Sequence, residues 1–445
     1  MIIRARTIVT MDGAPIENGA IVVSEDRIAD VGKCGEIQTR NTGEILDLGE
    51  QAILPGLINA HCHLDYTCLR DKIPPLRPIA VADSCSQGYV GRRNLRVSDT
   101  DTTRHRPVAT KSFTDWIRAI NAEKAKLSPN DYLASIDEGF TEAKRFGTTT
   151  IANLTAFPEL IPQIQPPIRV SWFPELIDIR TPERTNEIVD DAIESVAGAP
   201  SEPVLGEAEG GAPWGLAPHT LFTASKELFR RCEQVAERDN ILLTTHLAES
   251  REEMQMFRDA AGLLYEFLKN IGRAMSDCGK TTPLELFFDV LDKHALPRWI
   301  VAHLNELTES DFALLERSAP KFHIVHCPRS HNYFRHNRFE FERLRSLGFN
   351  ICLGTDSLAS NDGLSLFDEM RAFQKHFPKV SPEEILRMVT LNPARALHQE
   401  DVLGRIRPGF CADLIAIQRR GRDNPFEEIV AFDDSIHWVM VNGKM

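Results

Sequence analysis

The chain has 445 residues, of which 42% are hydrophobic and 26% charged, and a formal net charge of −13 from 64 acidic and 51 basic residues. That length exceeds one small domain and fits a barrel of about 250 residues or more with a smaller domain beside it; the acidic balance argues against non-specific binding to nucleic acid or anionic membranes. No apolar run approaches the roughly 18 residues of a membrane span, the N-terminus lacks the apolar core and cleavage site of a signal peptide, and nine scattered cysteines without a C-x-x-C point to a reducing cytoplasm, not a disulfide framework.

Residues 1–52 alternate in short strands, clearest at 21–23 and 45–48, with Asp12-Gly13 and Asn18-Gly19 read as hairpin turns. So small a β unit cannot bury both faces alone. Residues 400–445 return to short strands at 403–406, 412–417 and 437–441, and are expected to complete a β-sandwich domain built from both chain ends. Residues 76–111 are rich in Arg, Ser, Thr and Asp without sustained period, and are read as a mobile insertion.

Between the ends, residues 53–399 alternate strand and helix. Strands are expected at 54–63, 146–153, 168–173, 214–217, 241–245, 299–302, 322–325 and 350–354, with amphipathic helices such as 225–237, 309–318 and 368–377 among them. Eight such units imply an α/β fold, a (β/α)8 TIM barrel. The C-terminal strand ends then carry His61 and His63, Asn153, Glu175, His219, His246, His303, His326 and Asp356. Active sites of such barrels sit at that face.

The first strand ends His61-Cys62-His63, and residues two apart in a strand point to one side. Read alone, the pair could be two ordinary histidines. With His246 and Asp356 it becomes a ligand set of three imidazoles and one carboxylate. That set suits a single divalent ion, Zn2+ first and Fe2+ as the alternative, with bound water acidified to a pKa of about 7. Glu249 follows His246 by three residues and is assigned as a proton shuttle; the plainer reading is a glutamate favoured at a helix N-terminus. His303 is placed to hydrogen-bond the attacking water or stabilise an oxyanion, and Asp356 to share in proton transfer. His219, Trp116, Asn332 and Ser357 are assigned to substrate binding, Trp116 as a cover for a flat ring.

The motifs Leu54-Pro55-Gly56-Leu57-Ile58-Asn59-Ala60-His61-Cys62-His63, Pro218-His219-Thr220, His246-Leu247-Ala248-Glu249, Ala302-His303 and Gly354-Thr355-Asp356-Ser357 together make the chain resemble the amidohydrolase superfamily. So do Asn392-Pro393-Ala394-Arg395-Ala396-Leu397 and the stretch from Pro408 to Leu414. The resemblance spans nearly the whole chain apart from 76–111 and the acidic, glycine-rich stretch at 200–212. Within the superfamily it is similar to the one-metal aminohydrolase and chlorohydrolase-like branch, near methylthioadenosine/S-adenosylhomocysteine, guanine and aminofutalosine deaminases. This implies the ligand set above, Glu249 as shuttle and His219 at the substrate. Two-metal members use a bridging modified lysine, and His219 stands where it would be needed. One departure is Ser330-His331-Asn332, where relatives often show H-x-P-x-S-N; it leaves open whether His331 or Asn332 lines the pocket.

The expected function is metal-dependent hydrolytic deamination. Ammonia leaves an aminated heteroaromatic ring, a purine nucleoside derivative of the adenosine, methylthioadenosine, S-adenosylhomocysteine or aminofutalosine type. The rivals are a non-deaminating hydrolase of the same branch (a dechlorinase or amide hydrolase) and an inactive binding scaffold. The partner expected is a small-molecule substrate, with neither nucleic acid nor membrane; a homodimer is common in similar enzymes.

Overall fold

The computed structural model describes residues 1–74, 112–197, 214–291 and 293–445; the expected insertion at 76–111 and the stretch at 200–212 lie outside the described residues. Eight strands form one parallel sheet in chain order: β1 Leu57–Cys62, β2 Thr148–Thr155, β3 Arg169–Leu176, β4 Gly215–Pro218, β5 Leu242–Leu247, β6 Trp299–His303, β7 His323–His326 and β8 Asn350–Leu353. Seven coincide with strands expected from the apolar runs; the strand expected at 54–63 is divided, because Leu54 and Pro55 belong to Gln51–Pro55 of a second sheet and β1 begins at Leu57. Parallel strands buried on both faces need such continuous runs.

One apolar cluster takes Ile58 and Ala60 from β1, Ala152 and Leu154 from β2, and Phe173, Ala217, Leu242, Ile300, Val325 and Cys352 from the other six strands. A cluster fed by all eight strands is the interior of a barrel. Alternate residues, such as Leu243, Val301, Ile324 and Leu353, face outward into a larger cluster with Phe229, Phe287 and Phe373 of the surrounding helices. The barrel closes where the backbone N–H groups of Thr355 and Asp356 both donate to the His61 carbonyl at 3.1 Å. Gly354 permits this approach, since a Cβ there would lie 2.8 Å from the same oxygen.

The chain ends form a separate seven-stranded sheet. It runs from Trp438–Met440 through Leu414–Gln418, Gln51–Pro55, Ile2–Ile8 and Ile16–Ser24 to Arg27–Lys33, with Ile45–Asp47 on Ile2–Ile8. Ile3, Ile21, Ile28, Leu414 and Met440 share one core, so the expected sandwich is a single sheet wrapped around its apolar residues. Two local expectations are corrected. Asn18-Gly19 lies inside the strand Ile16–Ser24, packed so closely that a Cβ on Gly19 would meet Ile8 at 2.4 Å; the chain turns instead across residues 9–15, which hold Asp12-Gly13. Residues 403–406 form no strand: Leu403 N–H bonds back to Gln399 and Ile406 N–H to Thr10, which places their side chains in two different apolar clusters.

The end sheet is tied to the barrel by a buried ion pair, Arg169 of β3 with Asp413. All eight cysteines among the described residues are free thiols. No helix among the described residues is long and apolar enough to cross a membrane.

Candidate active site

The site is built first by β1. Its register against β2 shifts between Asn59 and Cys62. Ile58 and Ala60 point into the barrel, so simple alternation would turn His61 away. The irregularity re-aims the strand end, and the ring of His61 comes within 5.0 Å of His63 and 4.9 Å of His246, centroid to centroid. His246 lies near the end of β5. Its Nδ1 is 3.0 Å from the His219 carbonyl oxygen. Only an Nδ1–H tautomer can donate there, so the Nε2 lone pair of His246 faces the site.

His246 Nε2 lies 3.2 Å from His63 Nε2. Two imidazoles bonded to one ion at 2.0–2.1 Å in tetrahedral geometry have nitrogens about 3.3 Å apart. Asp356 Oδ1 is 3.8 Å from the Nε2 of both His61 and His63. Among the described residues, both ring nitrogens of buried His61 lack a hydrogen-bond partner, as does His63 Nδ1. Leaving such groups unpaired is costly; a cation among them removes the cost on the side they share. The donor set therefore fits a divalent ion. His61, His63 and His246 also place one donor atom each within 4.8 Å of one another.

Asp356 follows β8 at a φ of 58°. Hydroxyls of Ser330 and Ser360 donate to its Oδ2 at 2.6 and 3.1 Å, and Ser357 N–H to Oδ1 at 2.8 Å. The serine pair fixes the carboxylate plane and leaves Oδ1 towards the histidines.

Glu249 is buried between β5 and the helix Arg251–Asp259, one residue before the N-cap Ser250. The Glu253 carboxylate accepts from the backbone N–H of Ala248 and Glu249, and Asn305 donates to the Glu249 carbonyl. The Glu249 side chain reaches within 3.7 Å of His303 Nε2. Burial, then Asp356 and Glu253, push its carboxyl well above the usual range, so it holds a proton readily. His303 itself ends β6 at a φ of 74°, a left-handed turn that carries its ring to the site.

These groups share a cavity of about 290 Å3 with His219, Trp116 and Ser357. His219 Nδ1 contacts Thr223 Oγ1 at 2.8 Å. Trp116 lies on the helix Phe113–Lys124 and donates its indole N–H to the Ala359 carbonyl. Asn332 is not brought there. It is exposed on the short helix Pro328–Phe334 and borders a different depression, so the assignment to substrate binding lacks a geometric basis. Its neighbour His331 is buried instead, with Nδ1 3.0 Å from Asn305 Oδ1. His326 stacks on Phe339 at 4.1 Å, away from the cavity.

One site residue carried no assignment in the sequence reading. Glu175, at the end of β3, is buried with Oε1 3.6 Å from His219 Nε2 and 3.9 Å from His63 Nδ1. Burial would raise its carboxyl, but the facing imidazoles of His219 and His63 hold it below the ordinary range. At 3.9 Å Glu175 makes no hydrogen bond to His63 Nδ1, and it faces the candidate ligand ring as a charge only. Its place at a strand end was the available signal.

The model of the Amidohydrolase family matches residues 52–445. A 5'-deoxyadenosine deaminase of Methanothrix thermoacetophila is 27% identical over 94% of this chain and 86% of its own length. A 5-methylthioadenosine/S-adenosylhomocysteine deaminase of Moorella thermoacetica is 25% identical over 100% of this chain and 93% of its own. Among solved structures, an adenosine deaminase from Xanthomonas campestris with bound zinc superposes with a TM-score of 0.73 at 21% identity, covering 100% of this chain and 92% of that one. A match that runs from within the end-sheet strand Gln51–Pro55 to the last residue, over a barrel of this topology, leaves one conclusion: the chain belongs to the amidohydrolase family.

Proposed function

We propose that this chain is a metal-dependent hydrolytic deaminase that replaces the amine of an aminated heteroaromatic ring, of purine nucleoside type, with an oxygen. The observation that carries the reading is the buried pair Glu249 and His303, 3.7 Å apart, facing the same cavity as His63, His246 and Asp356, with His61 buried beside them. The relatives named as deaminases of adenosine derivatives support it, and the volume accommodates one ring system with a modest substituent.

A divalent ion held by the three histidines and Asp356 supplies Lewis acidity and lowers the pKa of water to about 7; the zinc of the Xanthomonas structure makes Zn2+ the first candidate. Glu249, whose burial favours the protonated carboxyl, delivers a proton to the ring nitrogen next to the amine-bearing carbon. Water adds to that carbon as Asp356 and His303 take up one of its protons; the ionised Glu249 then accepts the remaining hydroxyl proton while the proton held at Asp356 and His303 passes to the amine. Ammonia leaves and the ring carbon keeps the oxygen as a carbonyl. His219, buttressed by Glu175 and Thr223, orients the ring, Ser357 offers a hydroxyl beside Asp356, and Trp116 covers the ring face.

Ammonia release by zinc-loaded protein, measured across purine bases, nucleosides and their thio- and carboxy-substituted derivatives, tests the reading. One strong substrate whose turnover is abolished by chelator is expected. Confirmed metal with no ammonia from any compound transfers the assignment to non-deaminating hydrolysis.

A further inference from the structure

Lys124 closes the helix Phe113–Lys124 and lines the same cavity as the donor set. Its Nζ contacts Tyr66 Oη at 2.6 Å and lies 4.5 Å from the centre of that ring. An ammonium has three N–H donors. Tyr66 is its one hydrogen-bond partner among the described residues, so two donors remain for whatever enters. The carboxylates lining the cavity are committed elsewhere. Glu175 faces His219 and His63, Glu249 faces His303, and Asp356 faces His61 and His63. Nearby Asp65 accepts from Thr155. None of these forms a salt bridge with Lys124, although Glu175 and Asp65 partly offset the effect of burial on its amine.

Bracing Tyr66 needs only a neutral acceptor or donor. A charged side chain among Ile117, Ile120 and Phe267, which line the same space, calls for a further reason. Arg180 also lines the cavity, is exposed, and makes no salt bridge among the described residues. A concave apolar site with one inner and one outer cation attracts and orients an anion.

We propose that Lys124 is a specificity-determining residue that donates to an oxyanion, a carboxylate carried by a substituent of the aminated ring, so that acidic members of the substrate class are preferred over neutral ones. The inference rests on the deaminase reading for the ring and adds the charge of its substituent. Charge-assisted hydrogen bonds of this kind are about twice as strong as neutral ones.

Two matched pairs of probes test it: adenosine with adenosine-5′-carboxylic acid, and 9-(2-hydroxyethyl)adenine with 9-(carboxymethyl)adenine. In the wild type the acid of at least one pair is expected to exceed its neutral partner in kcat/KM by about tenfold or more. Lys124→Met should bring that ratio to about one, chiefly through a higher KM for the acid, and Lys124→Arg should restore part of it. Binding of the same four probes, followed by quenching of intrinsic tryptophan fluorescence, to which Trp116 at the cavity contributes, provides a readout independent of turnover. Acids that bind no better than their neutral partners overturn the inference, as does a Lys124→Met variant that weakens acid and neutral equally. If no probe releases ammonia but the acids still bind Lys124-dependently, the deaminase reading fails and the anion site stands.

Discussion

Replacing Glu249 by Gln keeps the shape of the side chain and removes its ability to exchange a proton. Gln remains buried beside His303, with its backbone held by Glu253 and Asn305 as before. Its carboxyl is not one of the atoms clustered as candidate ligands, so metal content should stay near one ion per chain. Acid–base catalysis by a positioned group is worth about 10²–10⁴ in rate, or roughly 2.7–5.5 kcal/mol of barrier. Ammonia release per bound metal should fall by that factor while KM changes little. The same substitution has a second signature in metal-free protein. Burial raises the Glu249 carboxyl above its ordinary value of 4.5. A carboxyl whose folded pKa is raised binds an extra proton in the folded state. Its stabilising effect is complete below about pH 4.5 and is lost as pH rises towards the folded value. Glu249→Gln cannot ionise, so chelated variant protein should melt higher than chelated wild type at pH 8, with the gap narrowing at pH 5. Near-normal turnover with full metal content would refute the assignment; a melting difference independent of pH would refute the electrostatic argument beneath it.

Other perturbations separate the remaining parts. Ser330→Ala removes the 2.6 Å hydroxyl contact to Asp356 Oδ2, and metal affinity measured by competition with a chelator should drop about 10–100-fold, the usual effect of losing a partner behind a ligand. Asn332→Ala should leave KM and kcat within about twofold, because that side chain is exposed and borders another depression; a large rise in KM would reinstate it at the substrate. Asp413→Ala strands Arg169, whose side chain is 4% exposed, and should destabilise the protein by about 3–5 kcal/mol in denaturant melts without altering metal stoichiometry.

Much of this architecture is local enough to be legible before any fold is known. A parallel strand buried on both faces must be a continuous apolar run, so β1 to β8 announced themselves, and with them the strand ends where polar residues collect. His61-Cys62-His63, His246 with Glu249, and Asp356 after a buried strand followed from spacing and chemistry within short segments. Where a short segment is ambiguous, distant neighbours chose. Asn18-Gly19 has the composition of a turn, but the close approach of Ile8 draws it into a strand; residues 403–406 have the composition of a strand, but their N–H groups pair with Gln399 and Thr10.

The sequence by itself determined the barrel, the end sheet and the candidate donor residues, because each depends on periodicities of two or a few residues. Only the tertiary structure decided which polar side chains converge. The register shift in β1 turns His61 inward, the carbonyl of His219 sets the tautomer of His246, and Glu175 of β3 comes behind His63. Lys124 reaches the cavity from a helix outside the sheet, while Asn332, two residues beyond the Ser330 that grips Asp356, faces away. Such pairings span up to almost three hundred residues of chain and hinge on ångström-scale approach, for which no pattern along the sequence exists.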